Sequence, residues 1–201
     1  MVNELNPLLI YLISNHEALF TIREISLSLK IPYMTLSRLI KKLSKRELVK
    51  VEKRGNNFLC QINCEYPLLK HHLILASEEI TQDYLNQHPI LSIIRKTIFK
   101  YASKDYTALL FGSYAKNKPE VHSDIDLAFI SKDKKSVQKI KKELSHLEKL
   151  YDKEINVLIF TPNQFKEMLR TVEENVGKQI LKNHIVLYNP ELFWEVIFHG
   201  L

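Results

Sequence analysis

Cysteine is scarce in this chain: only Cys60 and Cys64 are present. Two cysteines cannot build a disulfide framework, and no His or Cys follows them at zinc-binding spacing. They read as packing or edge residues, with a metal or redox role as the alternative. Long apolar runs are also missing. None approaches the roughly 20 residues that span a bilayer, so no membrane partner is expected. The opening Met-Val-Asn-Glu-Leu lacks the basic head and apolar body of a signal peptide, and a cytoplasmic location is expected. Eight histidines are scattered without a ligand pattern, and no internal repeat or low-complexity tract is visible.

What is present is a core-forming composition and a local excess of positive charge. Of 201 residues, 45% are hydrophobic, enough for one large core or two small ones. The net charge is +6, yet residues 30–54 alone hold nine Lys or Arg against two Glu. That segment therefore accounts for the whole excess. It points to a local anionic partner or to a solvated basic face.

Residues 1–65 read as three helices and a hairpin. Leu8, Leu9, Leu12 and Ile13 follow Pro7, which suits a first helical turn. Thr21 can cap a second helix, with Glu24 completing a capping box. Pro32 breaks the chain, and Leu36, Leu39, Ile40 and Leu43 stripe a third helix from about Tyr33 to Lys45. Two alternating runs, Leu48–Val51 and Phe58–Ile62, flank Gly55-Asn56-Asn57 as a hairpin. This order resembles the winged helix-turn-helix domain. The resemblance implies that the third helix enters the major groove of double-stranded DNA and that the wing touches the backbone. Tyr33, Thr35, Ser37, Arg38, Lys41 and Lys42 would then lie near DNA, with Lys53 and Arg54 on the wing. Arg38 and the hydroxyl residues would read base edges while the lysines neutralise phosphate. A homodimer would match paired half-sites. The alternative is a winged helix used for protein docking or dimerisation.

Residues 66–88 are expected to form a connecting helix, with Pro89 opening a second domain over 89–201. There "YTALLFGS", "SDIDLAFIS", "EINVLIF" and "HIVLY" read as strands. Helices are expected at about 136–150, 163–174 and 191–198. The fold class is therefore α+β, a helical first domain followed by a small α/β domain with a mixed sheet. Phe193 and Trp194 read as core anchors of the last helix.

Asp124 and Asp126 point the same way at the mouth of a strand, because side chains alternate. Two close carboxylates repel unless something compensates. A hard cation such as Mg²⁺ removes that cost and can be shared with phosphates. The Gly112-Ser113 turn can bring backbone N–H groups and a hydroxyl to those phosphates. The alternative is a pair of turn aspartates.

Gly112-Ser113-x-Ala115, with ten residues between Ser113 and the Asp124-x-Asp126 pair, resembles the polymerase-β-type nucleotidyltransferases. It looks closest to the minimal prokaryotic ones, including those fused to a winged helix. The resemblance implies that Gly112 and Ser113 contact nucleotide phosphate. Lys116 and Lys118, just after that turn, read as phosphate-neutralising or as surface charge, and Ser123 is a further candidate contact. Asp124 and Asp126 would bind Mg²⁺, with two ions stabilising the attacking and leaving oxygens. A nucleoside monophosphate would pass from ATP or another NTP to an acceptor hydroxyl, which in antitoxin relatives belongs to a partner protein. The family's usual third carboxylate aligns here with Asn156, which cannot take a proton. Glu154, two residues earlier, is the substitute candidate. A non-catalytic nucleotide sensor is the rival reading, and a structural module a third. His122 reads as an exposed loop residue or a phosphate contact.

Overall fold

The computed structural model describes residues 2–55, 57–116 and 123–200, and they fall into two compact units, 1–76 and 77–201. In the first unit α1 spans Val2–Ser14, β1 Phe20–Thr21, α2 Ile22–Leu29, α3 Tyr33–Lys45, β2 Val49–Arg54 and β3 Asn57–Ile62. The three strands form an antiparallel sheet in the order β1-β3-β2. Leu8, Leu12, Ile13, Ile25, Leu36, Ile40, Leu43, Leu48 and Cys60 are buried between helices and sheet. Burial also raises the Cys60 thiol to about 11, so it is packing and not a reactive group.

Local chemistry sets the helix boundaries. The Thr21 hydroxyl accepts the Glu24 N–H at 3.2 Å, and the Glu24 carboxylate accepts the Thr21 N–H at 2.7 Å. This is the expected capping box. The first helix differs from expectation, because Pro7 lies inside it and not in its first turn. An interior proline costs about 3 kcal/mol. Leu8, Leu9, Leu12 and Ile13, all buried, return about 1.5–3 kcal/mol each, so packing outweighs the lost hydrogen bond. The short strand β1 carried no pattern of its own. It exists because Phe20 and Thr21 pair with Cys60 and Leu59.

Helix α4, Leu69–Gln87, carries the chain from the first unit into the second. The second unit continues with α5 Pro89–Phe99, β4 Tyr106–Phe111, α6 Gly112–Ala115, β5 Ile125–Ser131, α7 Lys134–Tyr151 and β6 Ile155–Phe160. It ends with α8 Pro162–Arg170, α9 Val176–Lys182, β7 Ile185–Tyr188 and α10 Pro190–Phe198. The sheet order is β6-β5-β4-β7, with β5 and β6 parallel and the other pairs antiparallel. The sheet is therefore mixed, and the fold class is α+β. Helix α8 stops at Arg170, short of the expected 174, because Thr171 turns extended. Asn175 then caps the unexpected α9 by accepting the Lys178 N–H at 3.1 Å.

The sheet has two differently used faces. Ala108, Leu110, Ile125, Leu127 and Phe129 pack with Ile94 and Ile98 of α5 and Val137, Ile140 and Leu144 of α7. By alternation Asp126, Ala128 and Ile130 point to the other face. Phe165 of α8 and Phe193 and Trp194 of α10 are fully buried, and the Trp194 indole N–H donates to Ser77 Oγ at 2.9 Å. Trp194 and Phe193 are thus core anchors. Among the described residues no helix is long and apolar enough to cross a membrane.

Candidate active site

Strand β4 is buried over Tyr106–Leu110 and ends at Phe111, which lies opposite Asp126 of β5. Gly112 follows with φ +72, a conformation that L side chains rarely adopt. A Cβ on Gly112 would stand 2.1 Å from Asp126 Oδ2. Only glycine lets the turn and the carboxylate share this space. Ser113 is the second residue of α6, which closes at Lys116, whose N–H donates to the Gly112 carbonyl at 3.2 Å. The Gly-Ser turn and the acidic strand, ten residues apart in the chain, are therefore in contact.

Asp124 and Asp126 are both half-buried, one just before β5 and one within it. Ile125 between them is fully buried, and its N–H donates to the Glu154 carbonyl at 2.9 Å. That anchor leaves the two carboxylates on the opposite face of the strand from the packed isoleucine. Asn156 lies beside Asp126 in the parallel register, and its Nδ2 donates to Asp126 Oδ1 at 3.3 Å. Asp126 thus has the amide bonded at one oxygen and the glycine turn packed close to the other.

The structure brings Gly112, Ser113, Asp124, Asp126 and Asn156 to one end of the sheet. Ser123 sits half-buried beside Asp124, and Lys116 is exposed at the end of the turn. Glu154 is exposed, and its backbone, not its carboxylate, supports β5. No cluster of three or more His, Cys, Asp or Glu able to hold a metal forms among the described residues. Glu154 therefore does not join Asp124 and Asp126 in such a group. Lys118 and His122, like Asn56 in the first unit, lie outside the described residues. The two carboxylates, oxygen donors both, suit a hard divalent ion.

Two supports carry little signal in the sequence. The Lys153 ammonium donates to the Ser123 carbonyl at 3.5 Å, one residue ahead of Asp124. The Tyr84 hydroxyl donates to the Tyr114 carbonyl and ties α4 to α6. Burial, with a smaller contribution from Tyr114, pushes that hydroxyl up to about 12, so it stays a donor. The His88 ring packs on Tyr84 at 4.3 Å between centroids and on Tyr114 at 5.9 Å. Tyr84 follows Ile80 at helical spacing, and that periodicity is the one signal that marks it.

Residues 96–191 match the family model described as Polymerase beta, Nucleotidyltransferase. This segment is a polymerase-β-type nucleotidyltransferase domain. Among curated proteins nothing matches the chain. A solved structure of a toxin-antitoxin with AMP-PNP is similar at 21% identity and a TM-score of 0.36, over 53% of this chain and 83% of that one. The nucleotidyltransferase domain contains the Gly112 turn, both aspartates and Asn156.

The basic segment of the first unit is equally explicit. Tyr33, Arg38, Lys41 and Lys42 are exposed on α3, opposite the buried Leu36, Ile40 and Leu43. Thr35 and Ser37 are half-buried at the flanks. Lys53 and Arg54 are exposed at the hairpin end, where Arg54 pairs with Glu52 at 3.2 Å. That ion pair offsets part of the positive charge of the hairpin.

Proposed function

We propose that the second unit is a magnesium-dependent nucleotidyltransferase that moves a nucleoside monophosphate, AMP in the favoured case, from a nucleoside triphosphate to an acceptor hydroxyl. The observation that carries this reading is the contact between the Gly112 turn and the Asp126 carboxylate inside a domain of this family. The turn would receive the triphosphate through backbone N–H groups and the Ser113 hydroxyl, with Lys116 and Ser123 as flanking contacts. Asp124 and Asp126 would hold Mg²⁺, which when bound supplies positive charge to the phosphate oxygens. Asp126 is pre-positioned by Asn156, so little reorganisation is needed on binding. The hydroxyl oxygen would form the new bond to the α-phosphorus as the bond to pyrophosphate breaks. The resemblance to antitoxin relatives is what points to a hydroxyl on a partner protein.

In the same reading the first unit is a winged helix-turn-helix that binds double-stranded DNA as a homodimer. Support comes from the exposed cations on one face of α3 and at the hairpin end. The domain limits that accompany it are 1–65, a connecting helix at 66–88, and 89–201.

The rival reading is a nucleotide sensor without turnover, and Asn156 favours it because an amide cannot accept the acceptor's proton. The deciding experiment incubates the protein with α-labelled ATP, Mg²⁺ and cell extract. Label transferred to an extract component, and lost in Asp126→Ala, supports the enzyme. Tight Mg²⁺-dependent ATP binding without transfer supports the sensor.

A further inference from the structure

Asp126 has a neighbour in the sheet on each side. Phe111 of β4 lies opposite it on one side and Asn156 of β6 on the other. Neither can carry negative charge. Among the described residues, Asp124 and Asp126 are therefore the carboxylates that the strand ends offer here, and no carboxylate flanks Asp126 in the sheet. One Asp126 oxygen already accepts the Asn156 N–H at 3.3 Å. The other stands against the Gly112 turn, where a Cβ would come within 2.1 Å of it. The Asn156 N–H dipole presents its positive end to the carboxylate, so a second cation placed there would meet hydrogens in place of lone pairs. The exposed Glu154 forms no metal-holding cluster with Asp124 and Asp126 among the described residues.

We infer that this site takes a nucleoside triphosphate together with one divalent cation and not two, and that Asn156 sets that number. The inference rests on the proposed nucleotide-binding role of the domain. The single cation is the one shared between the triphosphate tail and Asp124 and Asp126. Asn156 occupies the place where a further carboxylate would hold a second ion, and its amide is taken up in orienting Asp126. In Asn156→Asp two carboxylates would face each other across the parallel strands, and a second ion would relieve their repulsion.

The test counts Mn²⁺ by electron paramagnetic resonance on the full chain, with the α,β-methylene analogue of ATP so that no transfer can occur. The expected result is one bound Mn²⁺ per protein–nucleotide complex for the natural sequence. Asn156→Asp is expected to take up a second ion at least about tenfold more tightly, since an added unit charge at contact distance is worth more than that factor. Asn156→Ala is expected to remain at one. Two ions of comparable affinity in the natural protein overturn the inference while leaving the nucleotide-binding role intact. A count of one in Asn156→Asp, with its circular dichroism unchanged, also overturns the assignment to Asn156. Absence of any Mn²⁺-dependent nucleotide uptake in the natural protein overturns both the inference and the role on which it rests. The count in the natural protein stands even where the aspartate variant does not fold.

Discussion

At Gly112 two independent requirements meet, a left-handed backbone and a space already filled by Asp126 Oδ2. Gly112→Ala is therefore expected to displace the carboxylate or the turn by about 1 Å, a misplacement that can cost about 100-fold in transfer rate and that weakens Mg²⁺–ATP binding. Titration of Mg²⁺–ATP by calorimetry checks this; an unchanged affinity would mean that the turn does not touch nucleotide. His184 illustrates a different residue-scale effect. Its ring donates from Nδ1 to the Ile180 carbonyl at 3.0 Å and packs on Phe193 at 4.7 Å between centroids. Burial lowers its pKa to about 4, against an ordinary 6.5. Between these values the unfolded chain binds the proton and the folded one does not, so stability rises with pH there. His184 is then expected to cost the second unit up to ~3 kcal/mol as pH falls from 6.5 to 4. Urea midpoints at several pH values measure it, and His184→Gln is expected to flatten the profile.

At the scale of elements, α3 shows how a helix divides its labour. Leu36, Leu39, Ile40 and Leu43 are buried, while Arg38, Lys41, Lys42 and Lys45 point away from the core. Helical spacing alone separates the two sets, which is why this face is legible in the sequence. Changing Arg38, Lys41 and Lys42 together to alanine leaves the buried stripe intact. Binding to duplex DNA is expected to weaken, and the slope of log affinity against log salt to fall by up to about 3. A gel shift unmoved by the triple change would count against DNA as the partner. Elements whose signal is weak are those made by their surroundings. Strand β1 needs β3 to pair with, and α9 needs the Asn175 cap to begin.

For the whole molecule, each of the two units has buried residues of its own, and the chain's single tryptophan lies in the second. Trp194 is fully buried and bonded to Ser77, so its fluorescence follows unfolding of the nucleotidyltransferase unit. Mg²⁺–ATP at about 100 times its dissociation constant is expected to stabilise that transition by ~2.7 kcal/mol. The shift is expected to vanish in Asp126→Ala. A Trp194 midpoint indifferent to nucleotide would contradict binding at this site. The uneven charge also belongs to this scale, because residues 30–54 carry the whole positive excess.

Periodicity and short motifs alone determined most elements here, since burial stripes and capping residues are local properties. They also supplied the candidates Gly112, Ser113, Asp124 and Asp126, while Asn156 came from the family resemblance. What only tertiary structure decided is which of these meet. Side-chain contact between strands depends on register, and register is set by long-range pairing that no local pattern records. Pairing of Phe111 with Asp126 and of Asp126 with Asn156 put the glycine turn on one carboxylate oxygen and an amide on the other. The same pairing turned the Glu154 backbone into a support for β5 and left its carboxylate in solvent.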